Sequence, residues 1–404
     1  MKSQEVSKAP TSGPLAGLRV LEFAGLGPAP FACMHLAELG AEVIRIDRPS
    51  GAGLTQIPID SLNRSRPNLV VDLKKDEGAD VVLRLAQSAD VVVEGWRPGV
   101  AERLGVGPEQ CRVLNPGLIY ARITGWGQTG PMAPLAGHDI NYAALSGALH
   151  ATGGREKPRQ AANLIADFGG GALPLLVGVL SALHARANGE LGQVVEVAMV
   201  DGAASLSTMI YGMHARGLWK DEREQNLLDG QAPFYDTYRC ADGKFIAVGS
   251  LEPQFFTELC AGLGLQPDDY KQYDQQQWPK MRAHFEGVFA TRSRDQWARL
   301  FEQTDACVSP VLSLAEAPMH PHNQSRGTFV PLGEGHEPTF PARFSRTPTR
   351  TPGPVRPPGA DTRAVLGGAG FPGHEIDALL ASRVVIEYGE VGDLVPGIKQ
   401  GIRS

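Results

Sequence analysis

Two side chains in this sequence combine a residue type with a local pattern suited to proton transfer. His138 lies in GHDINY (residues 137–142), a turn just before a predicted helix, and an imidazole accepts or donates a proton near neutral pH. Asp167 precedes FGGG and an apolar helix, so we expect its carboxylate at a helix N-terminus, beside glycines that allow close backbone approach. Each residue also has an ordinary structural interpretation, His138 as a capping or surface residue and Asp167 as an N-cap.

Two arginines are suited to hold an anionic ligand. Arg48 and Arg97 each follow a predicted strand, and ligands of open α/β sheets bind at the carboxyl ends of the strands. A guanidinium group forms paired hydrogen bonds with phosphate oxygens. Backbone N–H groups at the start of the helix after Asp167 can also polarise a carbonyl oxygen.

Strands alternate with helices in the first part of the chain. Apolar runs predict strands at 18–23, 41–47, 68–73, 90–94 and 118–124, with helices at 28–39 and 77–88 between them. This α/β pattern predicts a parallel sheet covered on both faces. Residues 173–187 are almost entirely apolar on every side, which predicts a helix buried in the middle of the domain.

The sequence pattern changes near Asp229, where a charged stretch ends. A β-hairpin is then predicted around ADG (241–243). We therefore predict a flexible leader over residues 1–13, a large domain over 14–228 and a smaller α+β domain over 229–318. Residues 319–404 begin as a segment rich in proline and arginine that lacks the apolar residues for a core of its own. We expect them to return to the large domain and complete it.

Composition excludes several classes of protein. The net charge is −6 with no long basic run, so nucleic acid is not an expected partner. No run of the sequence suggests a membrane span. The five cysteines are scattered and form no C-x-x-C pair, so we expect no metal site and a reducing, cytoplasmic location.

A dinucleotide-binding loop is a weaker interpretation of GLGPAP (residues 25–30). The loop lies between a strand and a helix, and Asp47 follows about twenty residues later, as in the dinucleotide fingerprint. However, Pro30 replaces the third glycine, and arginines flank Asp47. A tight structural turn is therefore favoured over a nicotinamide site.

Seven segments carry a family resemblance: LRVLEFAGLGPAPFACMHLAELGAEVIRIDRP, VEGWRPGVAERLG, ITGWGQTGP, GHDINY, NLIADFGGG, GQVVEVAMVDG and LLDGQAPFYDTY. Together they resemble the α-methylacyl-CoA racemases, which belong to the family III CoA-transferase group. The resemblance extends from about Pro14 to Phe371. It implies a large domain on a Rossmann-like sheet, a smaller α+β domain, and two chains interlocked as a homodimer with shared active sites.

The resemblance also implies an activity. A racemase of this kind interconverts (2R)- and (2S)-2-methylacyl-CoA by removing the C2 proton, forming an enolate, and returning a proton to the opposite face. His138 and Asp167 would be the two bases, and Glu252 from the partner chain would orient His138. Coenzyme A is part of the substrate, and no other cofactor is expected. The positions that match family contacts with the thioester are Arg48, Val71, Asp72, Leu73, Lys74, Arg97, Gly137, Asp139, Ile140, Asn141 and Tyr142.

Two other functions fit part of this pattern. In a family III CoA-transferase, Asp167 would attack the thioester and form an anhydride before CoA passes to a second carboxylic acid. A non-catalytic acyl-CoA-binding protein would keep the fold without turnover. The presence of His138 together with Asp167 and Glu252 favours the racemase over both.

Overall fold

The structure is a computed structural model that describes residues 12–49, 61–333 and 335–389 of the 404-residue chain. Residues 1–11 of the predicted leader therefore lie outside the described residues. The chain divides into two compact units. The first comprises Met1–Ser146, Ala161–Leu206 and Ser325–Ser404, and the second comprises Gly147–Gln160 and Ser207–Gln324.

The strands are, in chain order, β1 (Arg19–Phe23), β2 (Glu42–Asp47), β3 (Asn68–Val71), β4 (Val91–Glu94), β5 (Ile119–Thr124), β6 (Gly153–Gly154), β7 (Lys157–Pro158), β8 (Val194–Ala198), β9 (Tyr235–Arg239), β10 (Phe245–Gly249), β11 (Val308–Pro310), β12 (Phe329–Leu332), β13 (Gly335–Pro338) and β14 (Val385–Ile386).

The α-helices are α1 (Pro28–Glu38), α2 (Asp76–Ala86), α3 (Val100–Arg103), α4 (Pro108–Leu114), α5 (Asp139–Leu145), α6 (Leu173–Ala187), α7 (Met199–Leu206), α8 (Thr208–His214), α9 (Pro253–Leu263), α10 (Trp278–Phe289), α11 (Arg294–Phe301), α12 (Pro321–Arg326), α13 (Thr362–Gly368) and α14 (Gly373–Ala381). A π-helix, Leu164–Ala172, leads directly into α6.

A seven-stranded sheet forms the centre of the first unit, in the order β14-β3-β2-β1-β4-β5-β8. Its neighbouring strands are parallel except for β14, which is antiparallel to β3. Every residue of β4 and β5 is buried, as expected for central strands covered on both faces. The predicted parallel α/β sheet is confirmed, and its order reverses between β1 and β4, where open sheets of this kind bind ligands.

Buried ion pairs join the first strands of this sheet. Glu22 on β1 is fully buried and accepts hydrogen bonds from Arg45, at 2.6 Å, and from Arg66. Arg64, also buried, donates to Glu38 at 2.7 Å. Such pairs are stable only when the charges satisfy one another, because each has lost its hydration. They attach the segment at 64–66 to β1 and α1.

The C-terminal part of the chain completes the same sheet. Strand β14 pairs with β3, and the Asp72 amide donates to the Val384 carbonyl at 2.8 Å. The Lys75 ammonium donates to the Ser382 carbonyl at 2.6 Å. The proline-rich segment before it contains a short hairpin, β12–β13, which the sequence did not predict.

The second unit contains a three-stranded antiparallel sheet, in the order β11-β10-β9, and helices α9, α10 and α11. Its core is rich in aromatic side chains, among them Tyr238, Phe285 and Trp297. The predicted hairpin is present as β9–β10. The unit begins before Asp229, at Ser207, and includes residues 147–160, where Arg223 donates to the carbonyl of Gly154 at 2.9 Å.

The long apolar helix differs from its prediction in two respects. The π-helix and α6 form one continuous helix, Leu164–Ala187, which by length and composition could cross a membrane. The expectation that no segment has this length was therefore wrong. Its predicted burial on all sides was also wrong, because Leu173, Val177 and Leu180 are 48%, 64% and 38% exposed. The opposite face packs against β5 and β8.

The buried pairs predict a strong effect of Glu22→Gln on stability. The variant removes the carboxylate that pairs with buried Arg66 and one of the two carboxylates that pair with buried Arg45, so we expect the free energy of unfolding to fall by about 3–5 kcal/mol. The matched control is Glu42→Gln, which removes an exposed pair with Arg19 and is expected to cost about 1 kcal/mol or less. Urea unfolding of both variants measures the two losses of unfolding free energy. Equal losses would contradict the larger stabilising role that we assign to the buried ion pairs of Glu22.

Candidate active site

A cavity of about 780 Å³ opens at the carboxyl edge of the parallel sheet. The loops that follow β1, β2, β3, β4 and β5 all contribute to its wall, because parallel strands end at the same edge. Its size is that of a pocket for a cofactor-sized molecule. The residues that line it include Gly27, Asp47, Arg48, Val71, Asp72, Leu73, Lys74, Trp96, Arg97, Trp126, Leu135, Gly137, His138, Tyr142, Asp167 and Met199.

His138 lies where the sequence predicts, in the turn immediately before α5. Its backbone N–H donates to Asn141 Oδ1 at 3.0 Å, which fixes the entry into the helix. The residue is exposed and lines the cavity. An imidazole held there can reach a ligand in the cavity.

Asp167 lies in the first turn of the π-helix and lines the same cavity. Burial raises the pKa of Asp167 above its ordinary value, and the charge of Asp139 raises it further. The Asn163 side-chain amide, which donates to Asp167 Oδ2 at 3.2 Å, and the charge of His138 act in the opposite direction. A carboxylate with a raised pKa is better matched to proton transfer near neutral pH.

Glycines bring the backbone close to this carboxylate and to its helix. A Cβ at Gly27, the residue before α1, would lie 3.1 Å from Asp167 Oδ2 and would also be strained, because the residue has φ of +66°. A Cβ at Gly202 on α7 would lie 1.6 Å from the carbonyl oxygen of Gly170. The π-helix and α7 are thus in backbone contact, and side chains at these positions would push Asp167 out of place.

The Asp139 side chain lies outside the cavity wall, whereas the resemblance implies that it contacts the ligand. It is 4% exposed and does not line the cavity. Its Oδ1 accepts hydrogen bonds from the backbone N–H groups of Ala166 and Asp167, each at 2.7 Å. The carboxylate therefore joins the turn of His138 to the helix of Asp167.

The remaining residues of the GHDINY hexapeptide divide between cavity and surface. The Tyr142 ring packs at the cavity edge-to-face with Trp126, at a centroid distance of 4.7 Å. Burial raises the pKa of Tyr142 to about 12, with a further contribution from Asp167. Ile140 is 48% exposed and, like Asn141, is not part of the cavity wall.

Three cationic side chains border the cavity at the strand ends. Arg48 follows β2, Lys74 follows β3 and Arg97 follows β4, and all three are exposed. The loop that carries Arg97 is held by Glu94, whose carboxylate accepts from the Trp96 backbone N–H at 2.9 Å. These charges suit a ligand with phosphate groups.

Asp47 is not free to accept a hydrogen bond from a ribose hydroxyl, as the acid of a dinucleotide-binding site does. It is 5% exposed, and its carboxylate accepts hydrogen bonds from Arg45 Nε, at 3.2 Å, and from the Asn68 side-chain amide. Its oxygens are thus engaged within the sheet. This arrangement agrees with the structural turn that we favoured for residues 25–30.

Glu252 belongs to the second unit, where it is exposed and immediately precedes α9. Its predicted pairing with His138 of another chain stays a prediction. Trp96, Trp126 and Leu135 line the cavity, but we did not predict them as site residues. Trp96 and Trp126 do follow predicted strands, which is the sequence signal that could have identified them.

The arrangement provides two proton-transfer groups in a cavity with basic side chains at its rim. A family model described as CoA-transferase family III matches residues 15–362. The chain is 45% identical to "Alpha-methylacyl-CoA racemase" of Mus musculus over 376 residues, covering 92% of this chain and 97% of the relative. It is 43% identical to the protein of the same name of Homo sapiens, with the same coverage of each chain.

The chain is also similar to a relative that is named as a transferase. "Probable fatty acyl-CoA transferase Rv3272" of Mycobacterium tuberculosis is 32% identical over 326 residues, covering 72% of this chain and 82% of the relative. A crystal structure of Rv3272 superimposes with a TM-score of 0.74 and 28% identity, covering 88% of this chain and 99% of that one. The resemblance predicted from the sequence is confirmed by these matches.

Proposed function

The chain belongs to CoA-transferase family III, and from this premise we propose that it is an isomerase that interconverts (2R)- and (2S)-2-methylacyl-CoA thioesters. The observation that carries the proposal is that His138 and Asp167 line one cavity together with Arg48, Lys74 and Arg97. The names and identities of the mouse and human relatives support the same reaction.

In the proposed reaction, one of the two groups removes the proton from C2 and the electron pair of the C–H bond passes into the enolate of the thioester. The conjugate acid of the other group then donates a proton to the opposite face of C2. Neither His138 nor Asp167 is assigned to a particular face. The oxygen of the enolate is proposed to accept hydrogen bonds from backbone N–H groups of the cavity wall, other than those of Ala166 and Asp167, which already donate to Asp139.

The ligand is proposed to lie with its phosphates toward Arg48, Lys74 and Arg97. Arginine and lysine at strand ends supply the charge that the nucleotide part of coenzyme A requires. The loop that contains Val71, Asp72 and Leu73 lines the cavity beside Lys74 and is suited to contact the adenine. The thioester then extends toward His138 and Asp167.

The reaction can be tested by proton NMR of each epimer incubated with enzyme in deuterated water. We expect wild-type enzyme to exchange the C2 proton and interconvert the epimers, and His138→Ala and Asp167→Ala to lower interconversion by about a hundredfold or more. His374→Ala, an exposed histidine on α14, is the control. If no exchange occurs, and CoA passes to an added carboxylate only when Asp167 is present, the protein is a transferase instead.

We further propose that the enzyme is a homodimer in which Glu252 of the partner subunit orients His138. Large apolar side chains on the first unit are exposed in the single chain, which is unusual for a surface in contact with water. They are Leu145, Leu164, Leu173, Val177, Leu180, Val194 and Leu206. A second copy of the chain would cover them.

Co-expression of His138→Ala chains with Glu252→Ala chains tests the shared site. If each site combines His138 of one subunit with Glu252 of the other, hybrid dimers contain one intact site, and the mixture recovers about a quarter of the wild-type activity. If both residues of a site come from one chain, every site remains defective. Each variant expressed alone is the control for this experiment.

A further inference from the structure

The carboxylate of Asp139 is placed between the two residues proposed to carry out proton transfer. It is 4% exposed, and its Oδ1 accepts the N–H groups of Ala166 and Asp167 at 2.7 Å each. Two short hydrogen bonds to a charged acceptor are strong compared with neutral ones. They also satisfy N–H groups in the first turn of the π-helix, which have no partner one turn earlier in that helix.

The connection from one reactive group to the other is short. His138 is joined to Asp139 by a peptide bond, and the Asp139 side chain is joined to the Asp167 backbone by a hydrogen bond. A shift of the Asp139 carboxylate therefore displaces Asp167 relative to His138. The Asn163 side-chain amide, in contrast, donates to the Asp167 carboxylate, at 3.2 Å.

We infer that Asp139 is a positioning residue that fixes the separation of His138 and Asp167 and thereby favours inversion over retention at C2. The inference rests on the proposed racemase function. Inversion requires both groups to flank one carbon, because one removes the proton and the other replaces it. Retention requires a single group that removes the C2 proton, exchanges it with solvent and returns a deuteron to the same face.

The quantity to measure is the ratio of inverted to retained deuterated product. One epimer is incubated in deuterated water, and NMR at low conversion counts deuterated product of inverted and of retained configuration. The ratio does not depend on the amount of folded enzyme, so a variant that is merely less stable leaves it unchanged. The Michaelis constant is measured alongside and is expected to stay near the wild-type value, because Asp139 does not line the cavity.

Three substitutions separate position from charge. Asp139→Asn keeps an oxygen acceptor in place and is expected to retain the wild-type ratio within about threefold. Asp139→Glu keeps the charge but moves it by one methylene, and Asp139→Ala removes the acceptor. Both are expected to lower the ratio by about tenfold or more, since displacements near 1 Å at a reactive group have large effects on rate. Asp76→Ala, at the exposed first position of α2, is the matched control.

The outcomes distinguish this inference from the function on which it rests. A wild-type ratio in Asp139→Glu and Asp139→Ala, or equal losses in Asp139→Asn and Asp139→Glu, would overturn the positioning role while the racemase function stands. If Asp139→Ala does not fold, the comparison of Asn with Glu decides. Absence of C2 exchange in the wild-type enzyme would overturn the proposed function and this inference with it.

Discussion

Hydrogen bonding between parallel strands is the constraint on which the rest of the first unit depends. Strands β3, β2, β1, β4 and β5 run in one direction, so their following loops all lie at one edge. Basic side chains that are distant in the sequence, such as Arg48 and Arg97, therefore border one cavity. The buried pair of Glu22 with Arg45 and Arg66 stabilises the strands that carry these loops.

The proposed catalytic end of the cavity has a second constraint, which is close backbone contact. Gly170 and Gly202 allow the π-helix to touch α7, and Gly27 leaves space for the Asp167 carboxylate. A π-helix has one more residue in each hydrogen-bonded turn than an α-helix and is frequent at functional sites. Asp139 then links this helix to the turn of His138. The glycines thus leave space for the Asp167 carboxylate and its helix, and the buried Asp139 carboxylate holds that helix beside the turn of His138.

Much of this organisation could be predicted from the sequence. Apolar periodicity located β1, β2, α1 and α2, because the period of burial follows from the geometry of each element, and the ADG turn located the β9–β10 hairpin. Periodicity did not reveal that β14 returns to pair with β3, since that strand has only two residues. Nor did it reveal the exposed face of α6, because an apolar side chain reads the same in sequence whether the fold buries it or leaves it exposed. The position of the Asp139 side chain depends on its hydrogen bonds with Ala166 and Asp167, which lie 27 and 28 positions later in the chain. No local sequence pattern records such a contact.

In the proposed mechanism, His138 and Asp167 flank a single carbon atom. A crystal structure of the wild-type enzyme with a bound 2-methylacyl-CoA thioester tests it most directly. We expect C2 to lie between the imidazole and the carboxylate, which face it from opposite sides, with each reactive atom within about 3.5 Å. A complex in which both groups lie on the same face of C2, or in which the Asp167 carboxylate faces the thioester carbonyl carbon with His138 distant, would contradict it.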